Sequence, residues 1–331
     1  MKKELYHQLN PYIRLKETEI LTKEFFDQLI NSDSFQRIGE LLSNTTYGKY
    51  IHPGFENDFE ASLNQELLAT YQELLELAPE KDVIWVYTMR YTFHNLKVLT
   101  KAERIGENYD HLYLPDGFYK IEDLKNAIQT GKSALLPDEL MASIHEVHEF
   151  IEESAILQGI DIIYDRHFLK EQRRLGEKIK NEELLTEIIH LIDLTNIVTT
   201  MRCLLQQRSR GFLTAVLSSS GSIEKEVYLD FTDREVSEFV TFVLESPYGD
   251  LLRPAIDQAE IDFALLDLIK DNHLTEMFDE AQIKAFGPLP LLAYLNAKDI
   301  EMKNLRMLVI GKRSGFTNEQ IRERMRNTYD L

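Results

Sequence analysis

Asn95-Leu-Lys-Val-Leu-Thr-Lys-Ala-Glu-Arg-Ile-Gly106, Thr200-Met-Arg-Cys-Leu-Leu-Gln-Gln-Arg-Ser-Arg-Gly211 and Asn304-Leu-Arg-Met-Leu-Val-Ile-Gly-Lys-Arg-Ser-Gly315 share one twelve-residue pattern. Each opens on a small polar residue (Asn95, Thr200, Asn304), then an apolar one, then a base (Lys97, Arg202, Arg306), and each closes on Gly after basic residues. Their starts, at positions 95, 200 and 304, are 105 and 104 residues apart. That period has the size of a small domain rather than of a solenoid repeat. The even spacing therefore predicts one helical module used three times. Leu96 and Leu99, Met201 and Leu204, and Leu305 and Leu308 are three apart and share a helical face. Gly106, Gly211 and Gly315 fit the left-handed position that closes a helix. Arg104, Arg208, Arg210, Lys312 and Arg313 stand where a cation complements the negative end of the helix dipole. Residue by residue these are three well-terminated helices; triplication is what explains their spacing.

The pattern extends outward. About forty residues upstream of each copy an acid precedes a bulky apolar residue and a long amphipathic segment, at Asp58-Phe59, Asp161-Ile162 and Asp262-Phe263. Further upstream, short helices are expected near Phe25–Leu29, Leu124–Ile128 and Val236–Val240. Linkers fall near 107–119, with Pro115-Asp-Gly117, and 216–228, with Ser218-Ser-Ser-Gly-Ser222. The expected modules are thus 1–112, 113–215 and 216–331, an all-α chain with pseudo-threefold symmetry. Gly287-Pro-Leu-Pro290 opens a helix that meets no breaker before Ile310. Thr232-Asp-Arg-Glu235 and Thr317-Asn-Glu-Gln320 have capping-box spacing, the second opening a last helix to about Arg326. Val83-Ile-Trp-Val-Tyr-Thr-Met89 has strand propensity. It runs without a turn signal into the first copy, and so reads as helix.

Composition narrows the classes. A chain of 331 residues exceeds one compact core, so two or three domains are the expectation. Its 14 Gly and 9 Pro leave little material for a sheet with many tight turns. The single Cys203 allows no internal disulfide and reads as a small buried hydrophobe in a reducing compartment. The opening Met1-Lys-Lys-Glu-Leu-Tyr does not read as a signal peptide. Apolar stretches such as Val83–Met89 fall short of a membrane span. The net charge of −19 is spread along the chain, which excludes a basic stripe for nucleic acid. The local exception is Lys303 to Arg326, where seven bases face only Glu319 and Glu323. This end is either a solvated helix face or a contact for an acidic partner.

Signatures of chemistry are weak. Thr130-Gly-Lys-Ser133 ends like a phosphate-binding loop, but Asn126 stands where the first Gly belongs and the preceding segment reads as helix. His145 and His148 are three apart on an acidic helix, without the four-residue spacing or third ligand of a zinc site. Asp161 and Asp165 do not form a magnesium-diphosphate run, and no nucleophile elbow occurs. Catalytic residues, cofactors and metals are therefore expected to be none.

The run from Gly287 to Gly315, with Gly-Pro-x-Pro, then Asn304-Leu-Arg, then Lys312-Arg-Ser-Gly315, resembles the C-terminal signature of the C subunit of prokaryotic V/A-type ATPases, the counterpart of the d subunit of the eukaryotic V-ATPase. The middle copy departs from that signature, with Thr200-Met-Arg for Asn-Leu-Arg. The resemblance implies a funnel of three helical domains without catalysis. It implies a peripheral place on the cytoplasmic face of the membrane rotor ring of proteolipid subunits, one copy per complex, receiving the central shaft built from the D and F subunits. Asn95, Lys97, Gly106, Thr200, Arg202, Gly211, Asn304, Arg306 and Gly315 then either pack helices within each module or line the funnel. Lys312, Arg313, Arg322, Arg324 and Arg326 are the candidate partner contacts. A free-standing helical scaffold is the alternative.

Overall fold

The computed structural model describes residues 6–114, 118–153, 156–257 and 260–329, the side chain of Glu153 excepted. The turn expected at Pro115–Gly117 and the opening Met1–Leu5 lie outside them. The described residues are 72% helix and include no strand. The α-helices run α1 (Leu9–Glu17), α2 (Lys23–Ile30), α3 (Phe35–Leu42), α4 (Phe59–Leu77) and α5 (Lys81–Ile105). They continue as α6 (Ile121–Thr130), α7 (Asp138–Glu153), α8 (Gln158–Ile179), α9 (Glu182–Leu205), α10 (Arg210–Val216) and α11 (Lys225–Leu229). The last are α12 (Val236–Glu245), α13 (Gly249–Ile256), α14 (Phe263–Glu276), α15 (Leu289–Arg313) and α16 (Asn318–Arg322). The strand-like run Val83–Met89 lies inside α5 and is helical throughout. By contacts the chain groups into two compact units, one of residues 1–84 with 267–331, the other of 85–266.

The first unit is built around α15. Proline at its second position needs no amide there, so the Gly287-Pro-Leu-Pro290 start costs no hydrogen bond. Every residue from Leu289 to Met302 is buried, so this helix is surrounded on all sides and forms the core. Leu9 and Ile13 seat α1 against it, and each buried residue of this kind contributes about 1.5–3 kcal/mol. Asn10 fixes the entry to α15 by donating to the carbonyls of Ala285 (3.0 Å) and Gly287 (3.2 Å). Thr317 and Gln320 form a true capping box at α16. That helix stops at Arg322 rather than running to Arg326, because turns follow.

The second unit is organised on the α8–α9 hairpin. Lys180 in the left-handed conformation (φ 59°) ends α8, and Asn181 caps α9 by accepting from the Leu184 amide at 2.8 Å. The two helices approach closely at Gly176, where a Cβ would meet Ile188 at 2.6 Å. α7 and α10 pack on α8, and α12 packs on α9. Helix α9 is long and apolar enough to cross a membrane by length and composition, with 61% of its apolar window buried in this unit. The expected capping box at Thr232 does not form. α12 starts after Glu235 without a side-chain cap, and Thr232 instead donates to the Leu229 carbonyl at 2.7 Å.

Candidate functional site

Helices α5, α9 and α15 carry the same buried device. Asn95 donates its amide to the Leu114 carbonyl (2.7 Å) and accepts from the Leu114 N–H (2.8 Å). Asn196 grips Ser218 in the same way at 2.9 and 3.0 Å, and Asn304 grips Arg326 at 3.0 and 2.9 Å. A carboxamide suits the task because it offers a donor and an acceptor side by side, as a peptide group does. All three side chains are buried. Each clamp pins a segment 19 or 22 residues further along the chain back onto its helix.

Each of these helices also ends in the same place relative to its clamp. Gly106, Gln207 and Gly315, each eleven positions beyond the asparagine, adopt positive φ of 78°, 53° and 75°. The next amide then returns to a carbonyl five residues earlier: Glu107 to Ala102 (3.1 Å), Arg208 to Cys203 (2.9 Å) and Phe316 to Gly311 (2.9 Å). This is the Schellman closure.

The structural copies therefore begin at Asn95, Asn196 and Asn304, spaced by 101 and 108 residues, and the middle one does not begin at Thr200. Thr200 lies one turn too far along, in the slot that Leu99 and Leu308 fill, fully buried with no partner for its hydroxyl. Gly211 ends no helix; it sits in the first turn of α10, which Ser209 caps. Two substitutions hid the true register: Gln207 stands where the other copies have Gly, and Val198 where they have a base. Those bases act outside the clamps, Lys97 pairing with Asp165, and Arg306 with Glu60 (2.6 Å) and Asn64 (2.9 Å). Arg202, exposed, lies 5.0 Å from the Phe263 ring.

Three residues before the clamp, two of the helices carry a buried carboxylate that the sequence pattern does not reveal. Asp193 accepts from the amides of Ser222 (2.8 Å) and Ile223 (3.4 Å), from the Ser222 hydroxyl, and from the Tyr248 hydroxyl (2.8 Å). Glu301 accepts from the Leu21 amide (2.6 Å), the Tyr47 hydroxyl and Lys298 (2.8 Å). Both tyrosines precede a glycine that nothing larger can replace. A Cβ at Gly48 would lie 2.3 Å from the Ser43 carbonyl oxygen, and one at Gly249 2.0 Å from that of Leu244. Both also follow a hydroxyl residue, Thr45 or Ser246, that accepts their amides at 3.2 Å. Burial first, and the carboxylate second, pushes both phenols far above their ordinary range, so they remain protonated donors.

The basic C-terminal end is largely consumed within its own unit. Lys312 donates to the carbonyls of Ile30 (2.6 Å) and Ser32 (3.1 Å), closing the end of α2. Arg322 meets Asp27 (3.1 Å) and Asn31 (2.6 Å), and Arg326 meets Asp271 (2.8 Å). Arg313 and Arg324 are exposed, with guanidinium contacts to the Glu56 carbonyl (3.3 Å) and the Phe316 ring (5.2 Å). A cleft of 690 Å³ beside α2 is lined by both signs, among them Lys23, Asp27, Glu276, Asp279, Arg322 and Arg326. Gly131 of the loop-like Thr130–Ser133 is the left-handed end of α6, and its carbonyl meets His145 at 2.7 Å. No group of metal-ligating residues occurs among the described residues.

The model of the ATP synthase (C/AC39) subunit family matches residues 9–324. The chain belongs to that family. It is 57% identical over 326 residues to the C subunit of the V-type sodium ATPase of Enterococcus hirae, covering 98% of this chain and 99% of that one. It is 25% identical to the C subunit of the A-type ATP synthase of Thermococcus kodakarensis (96% and 89% covered). To that of Methanocaldococcus jannaschii it is 23% identical (96% and 85%). The chain is thus a non-catalytic subunit of a membrane-associated V/A-type ATPase.

Proposed function

We propose that this protein is the rotor adaptor of its ATPase. It seats on the membrane ring of proteolipid subunits from the cytoplasmic side, without itself crossing the membrane. It holds the shaft built from the D and F subunits, so that torque passes between ATP turnover and H⁺ or Na⁺ transport. The family match from residue 9 to residue 324 carries this reading. The geometry supports it. An adaptor under load needs stiff elements, and three long helices whose ends and downstream segments are fixed by the same buried clamp supply them. We further read the three clamped helices as the cores of three like modules set in a funnel. Stable coupling under load calls for an obligate-class interface, about 2,000 Å² or more across shaft and ring. Because Lys312, Arg322 and Arg326 hold their own unit together, the partner-facing bases are Arg313 and Arg324.

The test is reconstitution. The purified chain is mixed with D–F shaft on a sizing column, and separately with membranes stripped of peripheral ATPase subunits. Co-elution with the shaft and saturable pelleting with the membranes are expected, both weakened by Arg313→Glu with Arg324→Glu. Absence of binding to both, by a chain that retains its helical circular dichroism, overturns the assignment.

A further inference from the structure

The loop that leads from α14 into α15 holds two apolar side chains out in solvent, Ile283 at 84% exposure and Phe286 at 58%. Among the described residues no large apolar side chain is more exposed than Ile283, and no other phenylalanine is exposed. The backbone that carries them is tightly held. A 3₁₀ turn runs from Asp279 to Ile283, and Phe278 and Ala281 beside it are buried. α1 grips the rest. Asn10, 3% exposed, donates to the carbonyls of Ala285 (3.0 Å) and Gly287 (3.2 Å). Arg14 donates to the carbonyls of Ala281 and Lys284, the second at 3.0 Å. Its guanidinium is steadied in turn by the fully buried Glu17, at 2.8 and 2.7 Å, which also accepts from the Tyr329 hydroxyl at 3.2 Å.

Four carbonyls around Ile283 and Phe286 are thus fixed, and neither side chain is drawn inward. An unheld loop would turn both onto the protein, since apolar surface leaves water wherever it can. A fixed backbone that presents apolar side chains is preorganised: its ordering cost falls on folding rather than on docking. An aromatic and an aliphatic anchor on such a backbone suit the apolar centre of an interface. Charge then selects the partner. Glu276, Asp279 and Glu280 are exposed beside the loop, and Lys284, the one base between positions 276 and 286, pairs with Glu280 at 3.5 Å. An anionic headgroup surface draws in bases and repels such a site. The complement is an apolar pocket rimmed by bases, on a protein.

Given the adaptor reading above, we propose that the loop at 283–286 is a docking surface for the D–F shaft. Ile283 and Phe286 enter an apolar pocket of the shaft, and the acids beside them meet bases at its rim. Asn10 and Arg14 are positioning residues that keep the loop in its docking shape.

Calorimetric titration of the full chain with purified D–F shaft tests this. Ile283, Phe286 and Glu280 are all exposed, so substitutions there leave the fold intact, which circular dichroism verifies. Ile283→Asp and Phe286→Ser are each expected to weaken shaft binding by about thirtyfold, the loss that marks an interface anchor. Glu280→Lys should weaken it about threefold at low salt and far less at high salt, where rim charges are screened. Asn10→Ala should weaken binding in the wild-type chain, yet cost nothing further once Ile283→Asp and Phe286→Ser are present, because no anchor is left to position. Loop variants that bind shaft as the wild type does overturn the docking surface. So does a loss confined to pelleting with stripped membranes, which puts the loop on the ring, or with phosphatidylcholine–phosphatidylserine vesicles, which puts it on lipid. A wild-type chain that binds membranes but not shaft overturns the docking surface alone; one that binds neither sinks the adaptor reading as well.

Discussion

Replacing Asn196 with Ala tests the register of the repeat directly. The side chain makes two hydrogen bonds to one residue, donating to the Ser218 carbonyl at 2.9 Å and accepting from its amide at 3.0 Å. Asn196 and Ser218 are 1% and 2% exposed, so water does not replace the lost partner. Two backbone groups are then left buried and unsatisfied, at about 1–3 kcal/mol each, for a total of about 2–6 kcal/mol. The assay is urea unfolding followed by circular dichroism, with hydrogen exchange at residues 217–223 to place the loss. Exchange matters because a chain of two compact units need not unfold in one step. The variant should lose that stability and expose the 217–223 amides locally. A loss below about 1 kcal/mol, with those amides still protected, refutes the clamp as the repeat's defining device.

Thr200→Val, at the position that sequence spacing alone selects, should raise stability by up to about 1 kcal/mol, because it removes a buried hydroxyl with no partner; a fall of more than 1 kcal/mol in the same urea assay contradicts this. Gln207→Gly should leave stability unchanged or raise it by up to about 1 kcal/mol, relieving a left-handed backbone. Gly106→Ala and Gly315→Ala should each lower it by about 1–2 kcal/mol, from backbone strain alone, since nothing lies within 4 Å of either added Cβ. Burial pushes the Glu187 carboxyl up from 4.5 to about 7, with Arg90 opposing. Between those values the folded chain holds a proton that the unfolded chain has lost, so this group's contribution to stability falls as pH rises from 4.5 to about 7. Glu187→Gln should flatten that stretch of the stability–pH curve, and an unchanged difference curve contradicts it.

Much of the architecture was legible in the residues, and the reasons are local. Helical periodicity, the Gly287-Pro-Leu-Pro290 start and the Thr317 capping box each act within a turn or two, so they survive in a bare sequence. Even Val83–Met89 was assignable against its strand propensity, because no turn signal separates it from the rest of α5. The middle clamp was not legible. Its helix ends on Gln207 rather than Gly, and its clamp sits in the run Asn196-Ile-Val-Thr-Thr200, so a pattern search slides one turn to the next small polar residue. Asp193 and Glu301 escaped for a different reason. Lys298 aside, their partners lie at least 29 and 254 positions away, and no periodicity links Tyr47 to Glu301. Charge counts also carry no geometry, so they do not show that Lys312, Arg322 and Arg326 pair with α2 and Asp271.

Why these helices bury amides and carboxylates at all is a question of specificity more than of stability. Apolar residues of like volume would hold Asn304, Glu301 and Lys298 positions as firmly, since desolvating a charge offsets most of what its partner returns. An apolar stripe, however, repeats every turn, and a helix sliding along it by one turn moves about 5.4 Å and meets similar side chains again. A clamp does not repeat. On α9 only Asn196 reaches both polar groups of Ser218, and the hydroxyl of Thr200, one turn on, finds no partner. On α15 the neighbouring carboxylate draws in the Leu21 amide from the other end of the chain, fixing the helix against residues nearly the whole sequence away. A body that must hold its helices in one register gains from groups that have one correct partner each. That requirement accounts for polar residues in the most buried helix of the molecule, where packing alone would have put none.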